Sequence, residues 1–200
     1  VGYGLSETAP AASIDPIDGK SFSDAIGLPL PSTEMSIQND GGQILPVGDE
    51  GEICIRGPQV MRGYWNNDED TKKVLTKDGW FKTGDIGIMR EDGFFKIVDR
   101  KKDMIIVSGF NVYPSDIEEV AMKHEKVFEA GCIGVKGDDD QEVVKLFVSL
   151  NEGETLTKEE MTKYCRENLT AYKVPKLLEI VDEIPKSNVG KILRRELREK

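Results

Sequence analysis

The stretch that divides this chain is Asp99-Arg100-Lys101-Lys102-Asp103, in which five consecutive residues are charged. Before it, residues 1–98 contain short apolar stretches separated by glycine-containing turn sequences, a pattern typical of strands and tight turns. After it, strand-like and helix-like patterns alternate over residues 103–200. The sequence therefore predicts an α+β protein in two parts, 1–98 and 103–200, joined at residues 99–102.

The first part is predicted to be rich in β-structure. Three turn sequences stand between apolar stretches, namely Asn39-Asp40-Gly41-Gly42, Asp78-Gly79 and Asp92-Gly93. Apolar residues alternate with a period of two on both sides of the last turn, at Ile86, Ile88, Phe95 and Ile97. This alternation predicts a β-hairpin around Asp92-Gly93.

The second part carries two helix-start signals of the capping-box type, Ser115-Asp116-Ile117-Glu118 and Thr157-Lys158-Glu159-Glu160. Strands are predicted at 132–135 and 143–150, and a last helix at 191–199. His124, the single histidine, is predicted on the apolar face of the first of these helices. Core packing is therefore expected for it, and no Ser-His-Asp or Cys-His device can be built around it.

Composition excludes several classes of protein. The net charge of -10 argues against a nucleic-acid binder, which normally presents a basic surface. No apolar run is long enough to span a bilayer, and no signal peptide opens the chain, so a cytoplasmic location is expected. The three cysteines, Cys54, Cys132 and Cys165, show neither CxxC nor zinc spacing and are expected to be reduced.

The first candidate site is Gly2-Tyr3-Gly4-Leu5-Ser6-Glu7-Thr8. Glycines beside an aromatic ring let a flat base approach the backbone. A hydroxyl next to a carboxylate suits a phosphate oxygen and a Mg²⁺ ion. The alternative is an ordinary glycine turn, while a serine-hydrolase elbow is excluded because Thr8 stands where glycine is required.

Two further candidates are Trp80-Phe81-Lys82-Thr83-Gly84-Asp85 and the charged run itself. The carboxylate of Asp85, after a glycine turn, can accept two hydrogen bonds from a ribose diol, and the alternative is a turn aspartate. Arg100 can donate a forked pair of hydrogen bonds to ribose or phosphate oxygens. The alternative for the run is a solvated linker.

The last candidate is the segment from Pro185 to Arg195, which contains Gly190-Lys191. It is not a Walker loop, because Ile192 replaces the required Ser or Thr and Pro185 replaces the first glycine. A lysine at a helix start can still present its ammonium group to an anion. Residues 186–200 include six basic and two acidic side chains, which favours an anionic partner over a merely basic surface helix.

In their order and spacing, these motifs resemble the adenylate-forming superfamily, which includes acyl-CoA synthetases, luciferases and adenylation domains of peptide synthetases. Residues 95–114 and 185–195 look like the branch of bacterial long-chain fatty-acid–CoA ligases, and the resemblance covers essentially the whole chain. Asp99 agrees with that branch, since much of the superfamily has Gly there. Ser6 departs from the Thr of many members but keeps the hydroxyl.

The resemblance implies nucleotide-binding roles in the first part. Tyr3 would stack on adenine, with Gly2 and Gly4 shaping that wall. Ser6 would face the phosphate and Glu7 would hold Mg²⁺ as a catalytic residue. Asp85 and Arg100 would bind the ribose hydroxyls.

The resemblance also implies roles around and beyond the charged run. Lys102 would be a hinge. Ser108, Gly109 and Phe110 would line the path of CoA, and Lys191 would be the catalytic lysine of adenylation. Residues 1–98 would form the β-barrel-like end of a large N-terminal AMP-binding domain, and 103–200 a small mobile C-terminal domain.

The implied activity is that of a long-chain fatty-acid–CoA ligase, with fatty acid, ATP and CoA as partners and Mg²⁺ as cofactor. The chain opens at Val1 inside a glycine-rich motif, and a phosphate loop and acyl pocket are expected upstream, so this piece alone is expected to be inactive. Two alternatives remain open: a ligase that loads a carrier protein, and a non-catalytic acidic binding module. Acyl length, oligomeric state and peripheral contact with the inner membrane also remain open.

Overall fold

A computed structural model describes residues 1–17, 24–137, 140–188 and 190–199. The chain divides into two compact units, Val1–Lys102 and Asp103–Lys200, so the boundary falls inside the charged run. The α+β class is confirmed. Among the residues that the structure describes, no helix has the length and apolar character needed to cross a bilayer.

The first unit contains two antiparallel sheets. Three short strands form one sheet in the order β1 (Gly2–Tyr3), β2 (Ser13–Ile14) and β3 (Leu28–Pro29). The other is a four-stranded meander of β4 (Glu34–Gln38), β5 (Gly51–Arg56), β6 (Phe81–Met89) and β7 (Phe95–Arg100). A 3₁₀ turn spans Ser6–Thr8, and helix α1 spans Asp68–Val74 between β5 and β6.

The turns predicted from the sequence are present. Gly42 donates a backbone hydrogen bond to Asn39, Gly79 donates one to Thr76, and Gly93 donates one to Arg90. The last of these closes the predicted hairpin, in which Ile88 pairs with Lys96. The local sequence therefore correctly predicts these three turns of the first unit.

One apolar core joins the two sheets of the first unit. The Ile26 amide donates to the Phe95 carbonyl over 2.7 Å, which ties the segment before β3 to the edge strand β7. The buried core residues are Ala12, Ile26, Ile37, Ile53, Ile55 and Phe95. Burial of this apolar surface is the main stabilising contribution to the packing of the two sheets against each other.

The second unit begins with a hairpin and a helix. Strands β8 (Ile105–Val107) and β9 (Phe110–Val112) pair antiparallel, and helix α2 (Pro114–Met122) follows. The predicted capping box at Ser115 is wrong, because Tyr113 is the N-cap and Pro114 takes the first helical position. Proline is well suited there, since its ring presets φ and it lacks the amide hydrogen that would go unpaired.

A three-stranded sheet forms the centre of the second unit. Strands β10 (Val127–Lys136) and β11 (Glu142–Leu150) are antiparallel, and β12 (Leu177–Ile180) pairs with β11 in parallel. The crossover between β11 and β12 contains helix α3 (Lys158–Asn168) and a 3₁₀ turn at Ala171–Lys173. The predicted capping box of α3 is confirmed, since Thr157 and Glu160 exchange hydrogen bonds.

The predicted last helix at 191–199 is wrong in extent. Helix α4 spans only Arg194–Leu197, and Lys191 lies before it in a turn. His124 lies just beyond the end of α2 rather than within it, half-buried, with its ring edge-on to Tyr164. Its packing role is therefore retained, although the helix ends two residues earlier.

All three cysteines lie in the described parts of the chain, and each is a buried free thiol. Burial is the main cause that raises the pKa of Cys54 to about 12, and burial raises that of Cys165 to about 11. The thiolate is the reactive form of cysteine, and burial disfavours it. We therefore assign these buried thiols a packing role.

Candidate functional site

Three residues that are distant in sequence meet at Asp85. This residue on β6 is 2% exposed and pairs directly with Arg100 on β7. Arg100 Nε lies 2.8 Å from Asp85 Oδ1, and the Tyr3 hydroxyl donates to Oδ2 over 2.6 Å. Burial and the bond to Asp85 raise the pKa of Tyr3, so its phenol remains a hydrogen-bond donor. Residues from three separate motifs thus form one contact group.

Two side chains hold the turn in front of Asp85. The Thr83 hydroxyl donates to the Ile53 carbonyl over 2.8 Å and accepts from the Asp85 amide over 3.1 Å. Glu52 Oε1 accepts from the Gly84 amide over 3.0 Å. Sequence analysis placed Thr83 in a candidate motif without giving it a role, and it missed Glu52. Glu52 carried a usable signal, since it directly precedes the apolar run Ile53-Cys54-Ile55, and a buried carboxylate is rarely without a partner.

Lys101, in the charged run, is held by two carboxylates. Its Nζ lies 2.9 Å from Glu52 Oε2 and 2.6 Å from Asp40 Oδ1. Partial burial opposes the charge on Lys101, but these hydrogen bonds raise its pKa overall, while the bond from Lys101 lowers the pKa of Asp40. The beginning of the run is therefore part of the folded unit and does not behave as a solvated linker.

Glu7 lies in the 3₁₀ turn, half-buried, and accepts a hydrogen bond from the Tyr64 hydroxyl over 2.8 Å. Partial burial and this bond raise the pKa of Tyr64. Within the described ranges, no group of three or more His, Cys, Asp or Glu residues is placed to hold a metal ion. A single carboxylate fits Mg²⁺, since that ion commonly takes its other oxygens from phosphates and water.

A cleft of 430 Å³ in the first unit brings these groups together. Its polar lining includes Glu7, Glu52, Tyr64, Gly84, Arg100 and Lys101. The predicted metal residue and a predicted ribose residue thus face one open space, together with Gly84 and Lys101 from two of the quoted motifs. Glu52 and Tyr64 also line it, and the sequence did not single them out.

The remaining residues of the first motif lie beside this group. Gly2 is on β1 opposite Ile14, and Ser6 is exposed in the 3₁₀ turn. A Cβ atom on Gly4 would stand 1.7 Å from the Pro10 carbonyl oxygen. Gly4 is therefore required by the packing of its own loop, whatever its relation to a base.

The predicted CoA residues form the tip of the β8–β9 hairpin in the second unit. Ser108 and Gly109 have φ of 51° and 84°, the left-handed pair of a two-residue turn. Phe110 is 55% exposed and stacks on Tyr172 with ring centroids 4.7 Å apart. Ser108 also lines a cleft of 890 Å³ that carries two exposed cations not predicted from the sequence, Arg166 and Lys176.

The other two predicted residues lie on the boundary and near the end of the second unit. Lys102 is the last residue of the first unit, inside a 3₁₀ turn at Lys101–Asp103. Lys191 is exposed, and its amide donates to Ser187 Oγ over 3.2 Å.

Comparison with known proteins shows that both units are similar to parts of AMP-binding enzymes. Residues 1–65 match the profile described as AMP-binding enzyme, and residues 116–191 match the AMP-binding enzyme C-terminal domain. A long-chain-fatty-acid–CoA ligase of Yersinia pestis is 56% identical over 198 residues, which are 99% of this chain and 35% of the relative. The chain thus spans about a third of the length of the curated relatives that it matches.

Solved structures are similar over almost the whole chain. The crystal structure of ATP-bound MatB from Rhodopseudomonas palustris has a TM-score of 0.92 and 36% identity, covering 99% of this chain and 39% of that one. O-succinylbenzoate CoA synthetase (MenE) from Bacillus subtilis, in complex with ATP and magnesium ion, has a TM-score of 0.82 and 33% identity, covering 98% and 40%.

Proposed function

Because the chain belongs to the AMP-binding enzyme family, we propose that the whole protein is an ATP-dependent ligase that joins a long-chain fatty acid to CoA. The observation that carries this proposal is the contact of Tyr3, Asp85 and Arg100 beside a cleft that also receives Glu7. An aromatic ring, a carboxylate and a guanidinium group suit the base and sugar of a nucleotide.

The proposed first half-reaction is adenylation. The fatty carboxylate attacks the α-phosphorus of ATP, a P–O bond forms, and pyrophosphate leaves. Asp85 accepts hydrogen bonds from the ribose diol, and Arg100 donates to ribose oxygens while it fixes Asp85. Glu7 would hold Mg²⁺, which supplies positive charge near the phosphates. Lys191 donates its ammonium hydrogens to the charge that develops on the phosphate oxygens.

The proposed second half-reaction is thioester formation. The CoA thiol attacks the acyl carbonyl, the thiol proton is lost to solvent, and AMP leaves with the electron pair of the broken C–O bond. Ser108, Gly109 and Phe110 would line the path of the thiol arm. The neighbouring cleft supports this assignment, because Arg166 and Lys176 provide two positive charges for the phosphates of CoA. Residues 103–200 would turn about Lys102 between the half-reactions.

The test uses the full-length protein with ATP, Mg²⁺ and palmitate. Pyrophosphate release is measured first, and thioester formation is then measured with CoA or with an acyl-carrier protein as the acceptor. Palmitoyl-CoA as the product supports the proposal. Transfer to the carrier protein alone would replace it with the carrier-loading alternative, and no pyrophosphate with any fatty acid would favour a non-catalytic binding module.

A further inference from the structure

The segment that carries Lys191 is a narrow turn, here named the lysine turn, of which the structure describes residues 185–188 and 190–193. Its backbone hydrogen bonds run from the Ser187 amide to the Lys191 carbonyl at 2.8 Å and from the Leu193 amide to the Pro185 carbonyl at 2.8 Å. Gly190 also donates to Ser187. These bonds set the shape of the lysine turn, but they do not attach it to the rest of the unit.

Helix α4 alone is too short to hold the lysine turn. It has four residues, and a single isolated turn of helix is unstable because nucleation is unfavourable. Helix α4 and the residues before the lysine turn pack against strand β10. A Cβ atom on Gly131 would stand 2.8 Å from Leu197 and 3.3 Å from Ile184, so the bare glycine lets this segment lie directly on the strand.

Arg194 anchors the C-terminal arm of the lysine turn. Its side chain is 15% exposed, and Nη2 lies 3.0 and 2.8 Å from the two carboxylate oxygens of Glu118 on α2. Its Nε donates to the Cys132 carbonyl over 3.3 Å, and Glu118 Oε1 also accepts from the Cys132 amide over 2.8 Å. A largely buried ion pair with several hydrogen bonds holds its side chains in one geometry better than an exposed ion pair does.

Lys186 anchors the other arm, since its ammonium group pairs with Glu129 on the same strand β10. The two arms are therefore attached to one strand at positions only three residues apart, Glu129 and Cys132. Arg198 extends the anchor to Asp103, the first residue of the unit, over 2.8 Å. The two arms on either side of Lys191 are thus both attached to the body of the second unit.

We propose that Arg194, through Glu118, is the positioning residue for Lys191, and that the Lys186–Glu129 pair is its weaker counterpart. This inference rests on the proposed function, in which Lys191 acts during adenylation alone. A reacting group that is displaced by about 1 Å can lose on the order of 100-fold in rate. Releasing either arm should therefore slow adenylation while the lysine itself is unchanged.

The test compares variants of the full-length protein. Arg194→Met removes the main anchor, and Arg195→Met is its matched control, since Arg195 is exposed on α4 and forms no ion pair in the part of the chain that the structure describes. Lys186→Met removes the second anchor, with Lys123→Met as control for the loss of one exposed ion pair on α2. Arg194→Lys keeps the charge but loses the planar fork, so it should give partial rescue.

Three readouts separate positioning from general damage. Pyrophosphate release should fall by roughly 10- to 100-fold in Arg194→Met and less in Lys186→Met. Thioester formation from synthetic acyl-adenylate and CoA should stay within about twofold of wild type in both variants. Amide hydrogen exchange in the described residues of the lysine turn should accelerate in both variants, while that of β11 should not.

Each outcome decides the matter. Equal loss in both half-reactions, or no faster exchange in the lysine turn, would overturn the proposal. If Arg194→Met does not fold, Lys186→Met alone decides it by the same two criteria. A Lys191→Ala variant with intact adenylation would refute the role of Lys191 in the proposed function. A crippled Lys191→Ala beside an unaffected Arg194→Met would refute only the positioning role.

Discussion

The hydroxyl of Tyr3 donates a 2.6 Å hydrogen bond to the carboxylate of Asp85, although 82 residues separate them in the sequence. This bond joins two motifs that are individually weak signals. Arg100 occupies the other oxygen of the same carboxylate. Asp85 therefore has a fixed orientation before any ligand arrives, which lowers the cost of ordering a site on binding.

We expect Asp85→Asn to weaken AMP binding by roughly 10- to 100-fold, since a hydrogen bond that involves a charged group contributes about 1.5–3 kcal/mol. The amide keeps the shape of the side chain but no longer offers two anionic oxygens. Calorimetric titration of the full-length protein with AMP measures the effect. Asp49→Asn, at an exposed turn, is the control, and equal affinities in the two variants would remove Asp85 from the nucleotide site.

Lys191→Ala should slow adenylation on the order of 100- to 1000-fold, the usual loss for one donor aimed at developing charge. Thioester formation from synthetic acyl-adenylate should remain near wild type. Each half-reaction is assayed separately, with the exposed Lys163→Ala as control. If both steps fall together, Lys191 is not specific to the first.

Lys102→Pro should impair transfer to CoA more than adenylation, because proline fixes φ and restricts a rotation at that residue. Lys102→Ala removes the same side chain and leaves the backbone free, so it should retain transfer. The measured quantity is the ratio of thioester formation to pyrophosphate release. An unchanged ratio in the proline variant would exclude Lys102 as the pivot.

Gly4→Ala should destabilise the protein by about 1–3 kcal/mol or more, because the new methyl group overlaps the Pro10 carbonyl. Gly2→Ala is the matched comparison, since its Cβ would make only ordinary contacts at 3.6 Å or more, and its effect should stay below about 1 kcal/mol. Thermal unfolding of the full-length variants measures both. Similar melting temperatures would contradict the packing seen at Gly4.

The three cysteines should resist alkylation in the native protein. Burial raises the pKa of Cys54 to about 12, so at pH 8 very little of its thiol is in the reactive thiolate form. The reactive fraction grows as pH rises toward that pKa, and it stays negligible up to pH 9. Mass spectrometry after iodoacetamide treatment, with and without denaturant, checks this. Labelling of Cys54 in the folded protein would show that its strand opens.

The sequence predicted those features that depend on local pattern or motif order. The hairpin at Asp92-Gly93 follows from alternation and a turn, and the capping box at Thr157 follows from two residues three apart. The meeting of Tyr3, Asp85 and Arg100 at one point was expected from the family resemblance, and local pattern gave no indication of it.

The missed features depend on pairing across the fold. Glu52 reaches Gly84 because β5 and β6 shift register just beyond it, between Glu52 and Cys54. No local pattern reports such a bulge. The capping box predicted at Ser115 is absent because Pro114 already takes the first helical position. The last helix begins only at Arg194, because the Leu193 amide donates its hydrogen bond to the Pro185 carbonyl in the preceding turn.

The place of Leu197 near the end of the described chain has a consequence for the order in which the core of the second unit is completed. The core beside Phe147 is completed by Ile184 and by Leu197, which leaves the ribosome after every other core residue described here. Lys191 lies between those two residues. A shortened chain that ends before Leu197 would lack one side of this core, so it should not hold the lysine turn on strand β10.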